Sequence, residues 1–171
     1  IVLIVGFKKE LVKNTLANFE VSYAIQNEQK GTAHAIAQCK EELKTFCGNV
    51  LVLSGDVPLI KSKTLDTLID IHTKNHSKAS FITAKVKDPF GYGRIIRDDN
   101  NDFMDVIEHK DANKDQLMIN EINSGIYIFD SETLFKKIHL VRNKNVQKEY
   151  FITDVLHYIN KNDVSISLIK D

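Results

Sequence analysis

Two short runs carry no charge at any position, residues 1–5 and residues 50–53, and each closes on a tight turn, Gly6 in the first case and Ser54-Gly55-Asp56 in the second. A strand with one face in water alternates apolar and polar side chains. A run that is apolar throughout is buried on both faces, which is the situation of a strand inside a sheet covered by helices. The segments between these runs have helical spacing instead. Val12 and Leu16 share a stripe within 8–16, Ala33, Ile36, Ala37 and Leu43 share one over 33–44, and Leu65, Leu68, Ile69 and Ile71 do so over 64–72. Strand and helix in alternation confine the first half to a largely parallel sheet with helices on both faces.

The second half is richer in turns. Strand-like segments at 80–86, 94–97, 103–108 and 122–129 are separated by Asp88-Pro89, Gly91, Gly93 and Asp98-Asp99-Asn100-Asn101, which predicts antiparallel or mixed pairing. Ser131 is expected to cap a helix reaching Ile138, Thr153 to begin another with Val155, Leu156 and Ile159 inward, and 164–169 to form a last strand. The fold class expected is α/β, with a mixed, mostly parallel central sheet flanked by helices. With 43% hydrophobic residues, 171 residues suffice for one core, so residues 1–171 read as a single domain. Opening at Ile1 inside an apolar strand predicts that the natural N-terminus lies further upstream.

Charge narrows the class of partner. Twenty-three Lys and Arg balance 23 Asp and Glu, which argues against a nucleic-acid binder and leaves a nucleotide open as a small ligand. Cys39 and Cys47 would lie about 12 Å apart on a continuous helix, too far for a bridge. Both read as buried thiols in a reduced, cytoplasmic setting. No apolar stretch approaches the roughly 20 residues that span a bilayer, so no membrane segment is expected. The six histidines lack metal-ligand spacing, and there is no Gly-x-Ser-x-Gly elbow for a covalent nucleophile.

Ligands of open parallel sheets bind at the carboxyl ends of strands. Asp56 stands there, placed either to hold Mg²⁺ with triphosphate oxygens or to cap the helical region beyond Pro58. In the loop from Gln26 to Ala35, Gly31 permits close backbone approach, Thr32 supplies a hydroxyl, and the helix start offers amides to an anion. The Gln26 amide donates and accepts at once, as reading a uracil edge requires; the plainer reading is a loop with Thr32 as N-cap. Gly91-Tyr92-Gly93-Arg94 reads as a turn. Glu108-His109-Lys110 and Glu121-Ile122-Asn123-Ser124-Gly125 set carboxylates and an amide at strand ends, suited either to sugar hydroxyls and an acetamido group or to a surface ion-pair cluster with hairpin turns.

The order of these segments, from Gln29-Lys30-Gly31-Thr32-Ala33-His34-Ala35 through Ser54-Gly55-Asp56-Val57-Pro58-Leu59-Ile60 and Gly91-Tyr92-Gly93-Arg94-Ile95 to Glu149-Tyr150-Phe151-Ile152-Thr153-Asp154, is more specific than any one of them. It resembles, over nearly the whole chain, the uridylyltransferase domain of bacterial N-acetylglucosamine-1-phosphate uridylyltransferases. Gly55-Asp56-Val57-Pro58-Leu59 occurs in several sugar nucleotidyltransferases, whereas Glu108-His109-Lys110-Asp111-Ala112 followed by Glu121-Ile122-Asn123 is more specific to this family. The resemblance implies a Rossmann-like domain that joins UTP to N-acetylglucosamine 1-phosphate with Mg²⁺ and releases pyrophosphate. It implies Gln26, Gly31 and Thr32 near uracil, Ser54 and Gly55 in the nucleotide wall, and Asp56 as the catalytic Mg²⁺ ligand. Gly93, Glu108 and Asn123 are implied on the sugar.

The family's Gly-rich signature loop with its Lys would precede Ile1, and a second metal ligand, an Asn, would follow Asp171. The domain is therefore expected to be incomplete at both ends and the 171 residues alone to be a poor catalyst. Ala33 and Ser54 stand where the family usually has Gly and Tyr. Homo-oligomers are expected if a C-terminal β-helix domain exists. The alternatives are a catalytically silent relative that binds a sugar nucleotide or partner, and a transferase for another sugar phosphate.

Overall fold

A computed structural model describes residues 1–169. In chain order it forms β1 (Val2–Val5), α1 (Lys9–Thr15), β2 (Ser22–Ile25), α2 (Thr32–Ala37), β3 (Asn49–Val52) and α3 (Ser62–Lys74). There follow β4 (Ala79–Lys85), β5 (Arg94–Arg97), β6 (Phe103–Ile107), α4 (Lys114–Leu117), β7 (Glu121–Asp130), α5 (Ser131–Lys137) and β8 (Val164–Ile169), with a 3₁₀ segment at Ile152–Tyr158 before the last strand. The architecture is α/β with a mixed sheet flanked by helices. Parallel pairs are β1 with β2 and β4 with β8; the pairs of β7 with β3, β4 and β5, and of β5 with β6, are antiparallel.

β7 is the spine of the larger sheet. One of its edges runs along β4 from Glu121 to Phe129. The other is shared: β5 pairs at Ile122, β3 pairs from Tyr127 to Asp130, and on this edge the stretch between has no strand beside it among the described residues. Because side chains alternate across a strand, Tyr127 and Phe129 enter one core with Phe81, Leu134 and Val155, while Ile126 and Ile128 enter a second with Leu68 and Ile82 beneath α3. Burial on both faces accounts for the unbroken apolar run there.

The two charge-free runs of the N-terminal half do form strands, but they are not closed over on both sides. Among the described residues β1 pairs only with β2, and β3 only with β7. A groove of about 500 Å³ lies between them, lined by Leu3, Ile4, Val50, Leu51, Leu53 and Phe46. Ile4 and Leu53 therefore keep 37% and 47% of their surface exposed, where burial was expected.

The helix expected over 33–44 stops at Ala37 and tightens into a 3₁₀ turn, Gln38–Lys40. Gln38 explains the stop. Its side-chain Nε2 donates to the His34 carbonyl at 3.0 Å, and its backbone N–H turns to Ala35 instead. The chain beyond unwinds, so Cys39 is buried as expected but Cys47 is exposed. Asp130, and not Ser131, caps α5, accepting the Thr133 N–H at 3.0 Å. Ser131 is buried, its hydroxyl donating to the Phe46 carbonyl and accepting the Gly48 N–H, each at 3.3 Å.

The 152–158 segment is tied to β6 by His157 Nε2 and Asp105 Oδ1 at 2.6 Å. The Asp105 hydrogen bond raises the His157 pKa above its ordinary value. A histidine whose pKa is raised by folding stabilises below its unfolded value of about 6.5, and that contribution fades as pH rises through the folded value. Both groups are partly exposed, so the gain is small. His157→Gln is expected to lower Tm slightly at pH 5.5 and not at pH 8.5; a pH-independent gap would remove this ion pair as the cause.

Candidate active site

A cleft of about 300 Å³ opens beside the unpaired stretch of β7, and its lining includes Thr32, Ser54, Glu108, Asn123, Gly125 and Thr153. The gap between β5 and β3 makes this possible, since there β7 leaves its backbone to be met by loops. The Asn123 N–H donates to the Gly93 carbonyl at 3.0 Å, and Ser54 Oγ donates to the Gly125 carbonyl at 3.4 Å. Gly125 has φ +78°, and a Cβ on it would meet Ser54 Oγ at 3.1 Å. Only glycine takes that backbone without strain.

The Asn123 side chain is held at both ends. Its Nδ2 donates to Tyr127 Oη at 2.5 Å and its Oδ1 accepts the Gly125 N–H at 3.2 Å. Glu108 faces the same cleft and accepts from Thr153 Oγ1 at 3.3 Å. Burial raises its pKa above the usual carboxylate range, Thr153 opposes this, and Asp154, Asp111 and Glu149 add to the rise. Gly93 borders Glu108 so closely that a Cβ would lie 3.3 Å from each carboxylate oxygen. Of the expected sugar-side trio, Glu108 and Asn123 line the cleft, whereas Gly93 is buried behind them and does not, although it touches both.

The residues expected on the nucleotide side are more dispersed. Thr32 and Ser54 line the cleft; Gln26, Gly31, Gly55 and Asp56 do not. Gly31, not Thr32, is the N-cap of α2, and the Thr32 hydroxyl accepts the Ile152 N–H at 2.9 Å. The close approach that Gly31 allows is to its own chain: with φ +109°, a Cβ there would sit 2.5 Å from the Tyr150 carbonyl oxygen. Gln26 is buried, its Nε2 donating to the Gly31 carbonyl at 3.1 Å and lying 3.0 Å from His34 Nδ1. The amide nitrogen is spent inward, so Oε1 is the atom left for a ligand.

Asp56 is exposed on the turn after β3. It caps nothing, since α3 begins at Ser62 with Lys61 as its cap residue. Among the described residues no group of three or more His, Cys, Asp or Glu could hold a metal ion. One carboxylate fits Mg²⁺, which keeps waters and takes one or two carboxylates together with substrate phosphates.

The surface ion-pair reading fails for Glu108, which has no cationic partner among the described residues, and for Glu121, which is buried against a partly buried Arg97. Glu121 Oε1 accepts from Thr83 Oγ1 and Arg97 Nη2, both at 2.7 Å, and Oε2 accepts from Arg97 Nε at 2.9 Å. Arg94, next to Gly93, is 1% exposed; it donates to the Tyr92 carbonyl, lies near His109 Nδ1, and leaves Nε without a partner among the described residues. Sequence reasoning missed Tyr127 and the Thr153 contact to Glu108. The available signal was a hydroxyl-bearing aromatic four residues after Asn123, within the apolar run at residues 126–129.

No helix among the described residues is long and apolar enough to cross a membrane. The chain is 40% identical over 172 residues to "Bifunctional protein GlmU" of Streptococcus uberis, covering 99% of this chain and 37% of that protein. With the protein of the same name from Staphylococcus saprophyticus it shares 44% identity over 159 residues, 93% of this chain and 35% of that one. The chain thus spans little more than a third of these relatives. In fold it is similar to a putative glucose-1-phosphate thymidylyltransferase from Bacillus anthracis in complex with a sucrose (TM-score 0.77, 20% identity, 99% of this chain and 68% of that one). It is also similar to a UDP-glucose pyrophosphorylase complexed with UDP-glucose (TM-score 0.68, 19% identity, 92% and 67%). The profile of the Nucleotidyl transferase family matches residues 3–171, and with a cleft at the break in its sheet and relatives over its whole length, this chain belongs to the nucleotidyl transferase family.

Proposed function

We propose that this chain, within its complete protein, transfers the uridylyl group of UTP to N-acetylglucosamine 1-phosphate and releases pyrophosphate. The observation that carries this reading is the convergence of Thr32, Ser54, Glu108 and Asn123, from four separate segments, on one cleft. Glu108 there accepts from a sugar hydroxyl or the acetamido N–H, and Asn123 supplies an amide fixed in orientation. Gln26 Oε1 accepts the N3–H of uracil.

An unesterified oxygen of the sugar phosphate attacks the α-phosphorus of UTP in line. A bond from that oxygen to phosphorus forms, the bond to the bridging oxygen breaks, and pyrophosphate leaves with the electron pair. The attacking oxygen is already an anion, so no general base is required, and positioning with charge neutralisation carries the rate. Mg²⁺ held by Asp56 and the triphosphate oxygens would supply that neutralisation.

The test is pyrophosphate release by the complete protein from UTP, N-acetylglucosamine 1-phosphate and Mg²⁺. Asp56→Ala is expected to lower kcat about a hundredfold. Glu108→Ala is expected to raise the sugar-phosphate KM about tenfold and the UTP KM far less. Unchanged turnover in Asp56→Ala, or a larger Glu108→Ala effect on UTP, overturns the assignment. Binding of UDP-N-acetylglucosamine without turnover in the unaltered protein would mark a silent relative instead.

A further inference from the structure

A side-chain amide can flip, exchanging its donor and acceptor ends, and a ligand reads only one of the two orientations. For Asn123 the surroundings decide between them. The Gly125 N–H points at one end of the amide at 3.2 Å and accepts nothing, so oxygen must sit there; nitrogen in that place would set donor against donor. The Nδ2 end then falls 2.5 Å from Tyr127 Oη, and the phenol must be the acceptor of that bond.

Tyr127 is suited to hold this arrangement. It is 2% exposed, and its ring stacks on Phe129 with centroids 5.7 Å apart and tilts against Phe81 at 6.0 Å. A ring packed this way cannot carry its hydroxyl away from Asn123. Burial also pushes the phenol pKa up, so the hydroxyl keeps its proton throughout any working range.

We propose that Tyr127 is a positioning residue for the sugar-phosphate side of the cleft, its buried hydroxyl anchoring the Nδ2 end of the Asn123 amide, whose orientation the Gly125 N–H sets, where the ligand meets it. The proposal rests on Asn123 contacting the sugar, as in the function proposed above. Tyr127 itself acts through Asn123.

Tyr127→Phe removes the hydroxyl and keeps the ring, so the aromatic packing survives. In the complete protein it is expected to raise the KM for N-acetylglucosamine 1-phosphate about tenfold, the equivalent of one lost hydrogen bond, with kcat and the UTP KM within about twofold of the unaltered protein. The distinguishing measurement is a double-mutant cycle. Asn123→Ala alone is expected to raise the same KM, and Tyr127→Phe added to it is expected to change nothing further. A purely structural hydroxyl would produce the same loss in both backgrounds, which overturns the proposal, as does a rise in both substrates' KM together. If Asn123→Ala raises the sugar-phosphate KM while Tyr127→Phe does not, positioning fails and the site reading stands. If Asn123→Ala leaves that KM unchanged, the site reading fails and takes the proposal with it. Should Tyr127→Phe lower Tm sharply, the Asn123 side-chain amide resonances of the free protein still decide: the proposal requires that their exchange with solvent quicken in the variant, and unchanged exchange overturns it.

Discussion

Gly31→Ala is expected to cost about 3–5 kcal/mol, the sum of backbone strain and of hydrogen bonds that must stretch to relieve it. Gly31 has φ +109° and ψ 177°, a region that residues with a Cβ essentially do not occupy. The added methyl would also lie 2.5 Å from the Tyr150 carbonyl oxygen and 2.7 Å from its nitrogen. Neither atom is free to move. Tyr150 N–H donates to the Lys30 carbonyl and its carbonyl accepts the Ala33 N–H, each at 2.8 Å, so backing away breaks two of the bonds that hold the loop to the 149–154 segment. The urea midpoint of the complete protein should fall accordingly, and since Gln26 bonds to the Gly31 carbonyl, the UTP KM should rise before the sugar-phosphate KM. A variant with unchanged midpoint and KM values would mean that the loop adopts another path at no cost.

Arg97→Ala should be similarly severe, about 3–5 kcal/mol, because it strands a buried carboxylate. Burial pushes the Glu121 pKa up, and the hydrogen bonds from Arg97 and Thr83 outweigh it and hold the carboxyl below its ordinary value. An acid whose pKa is lowered by folding stabilises above its unfolded value and loses that contribution as pH falls through the folded one. In Arg97→Ala the largest influence opposing burial is gone, only Thr83 and Lys85 remain against it, and Glu121 takes up a proton more readily. The deficit relative to the unaltered protein should therefore be largest at pH 7 and shrink toward pH 4. Replacing the pair together, Arg97→Met with Glu121→Leu, should recover most of it, since an apolar pair leaves no charge to desolvate. Equal deficits at both pH values would show that Arg97 contributes through packing alone.

Much of this molecule can be read from pattern. Residues 80–86 and 122–129 announce themselves as strands because burial on both faces leaves little room for polar side chains. Burial, however, says nothing about the neighbour. Residues 1–5 and 50–53 look alike in sequence, yet one pairs in a two-stranded parallel sheet and the other lies antiparallel to β7. The helix beyond Ala37 was illegible for a local reason: apolar spacing continues to Leu43 while the Gln38 side chain takes the carbonyl that propagation needs. In the site, Glu108 and Asn123 were legible because charged or amide groups at strand ends violate the core pattern. Tyr127 conforms to that pattern with its ring, and nothing in one sequence reveals where its hydroxyl points.

The division into two sheets sets a gradient of protection across the cleft. β1 and β2 exchange ladder hydrogen bonds only with each other among the described residues, so they can open without breaking any bond of the larger sheet. Local opening of this kind costs less than global unfolding. Gln26 follows β2 directly and travels with it, restrained at the far end of its loop by Tyr150. Asn123, by contrast, stands on the ten-residue spine, where opening would break the ladders to the strands on either side. On the proposed assignment, the uracil contact at Gln26 is thus mounted on the strand pair that opens at lower cost, whereas Ser54, just after β3, and the sugar contact at Asn123 belong to the larger sheet. A ligand bridging the two would have to order the first against the second, and part of its binding free energy is committed to that ordering.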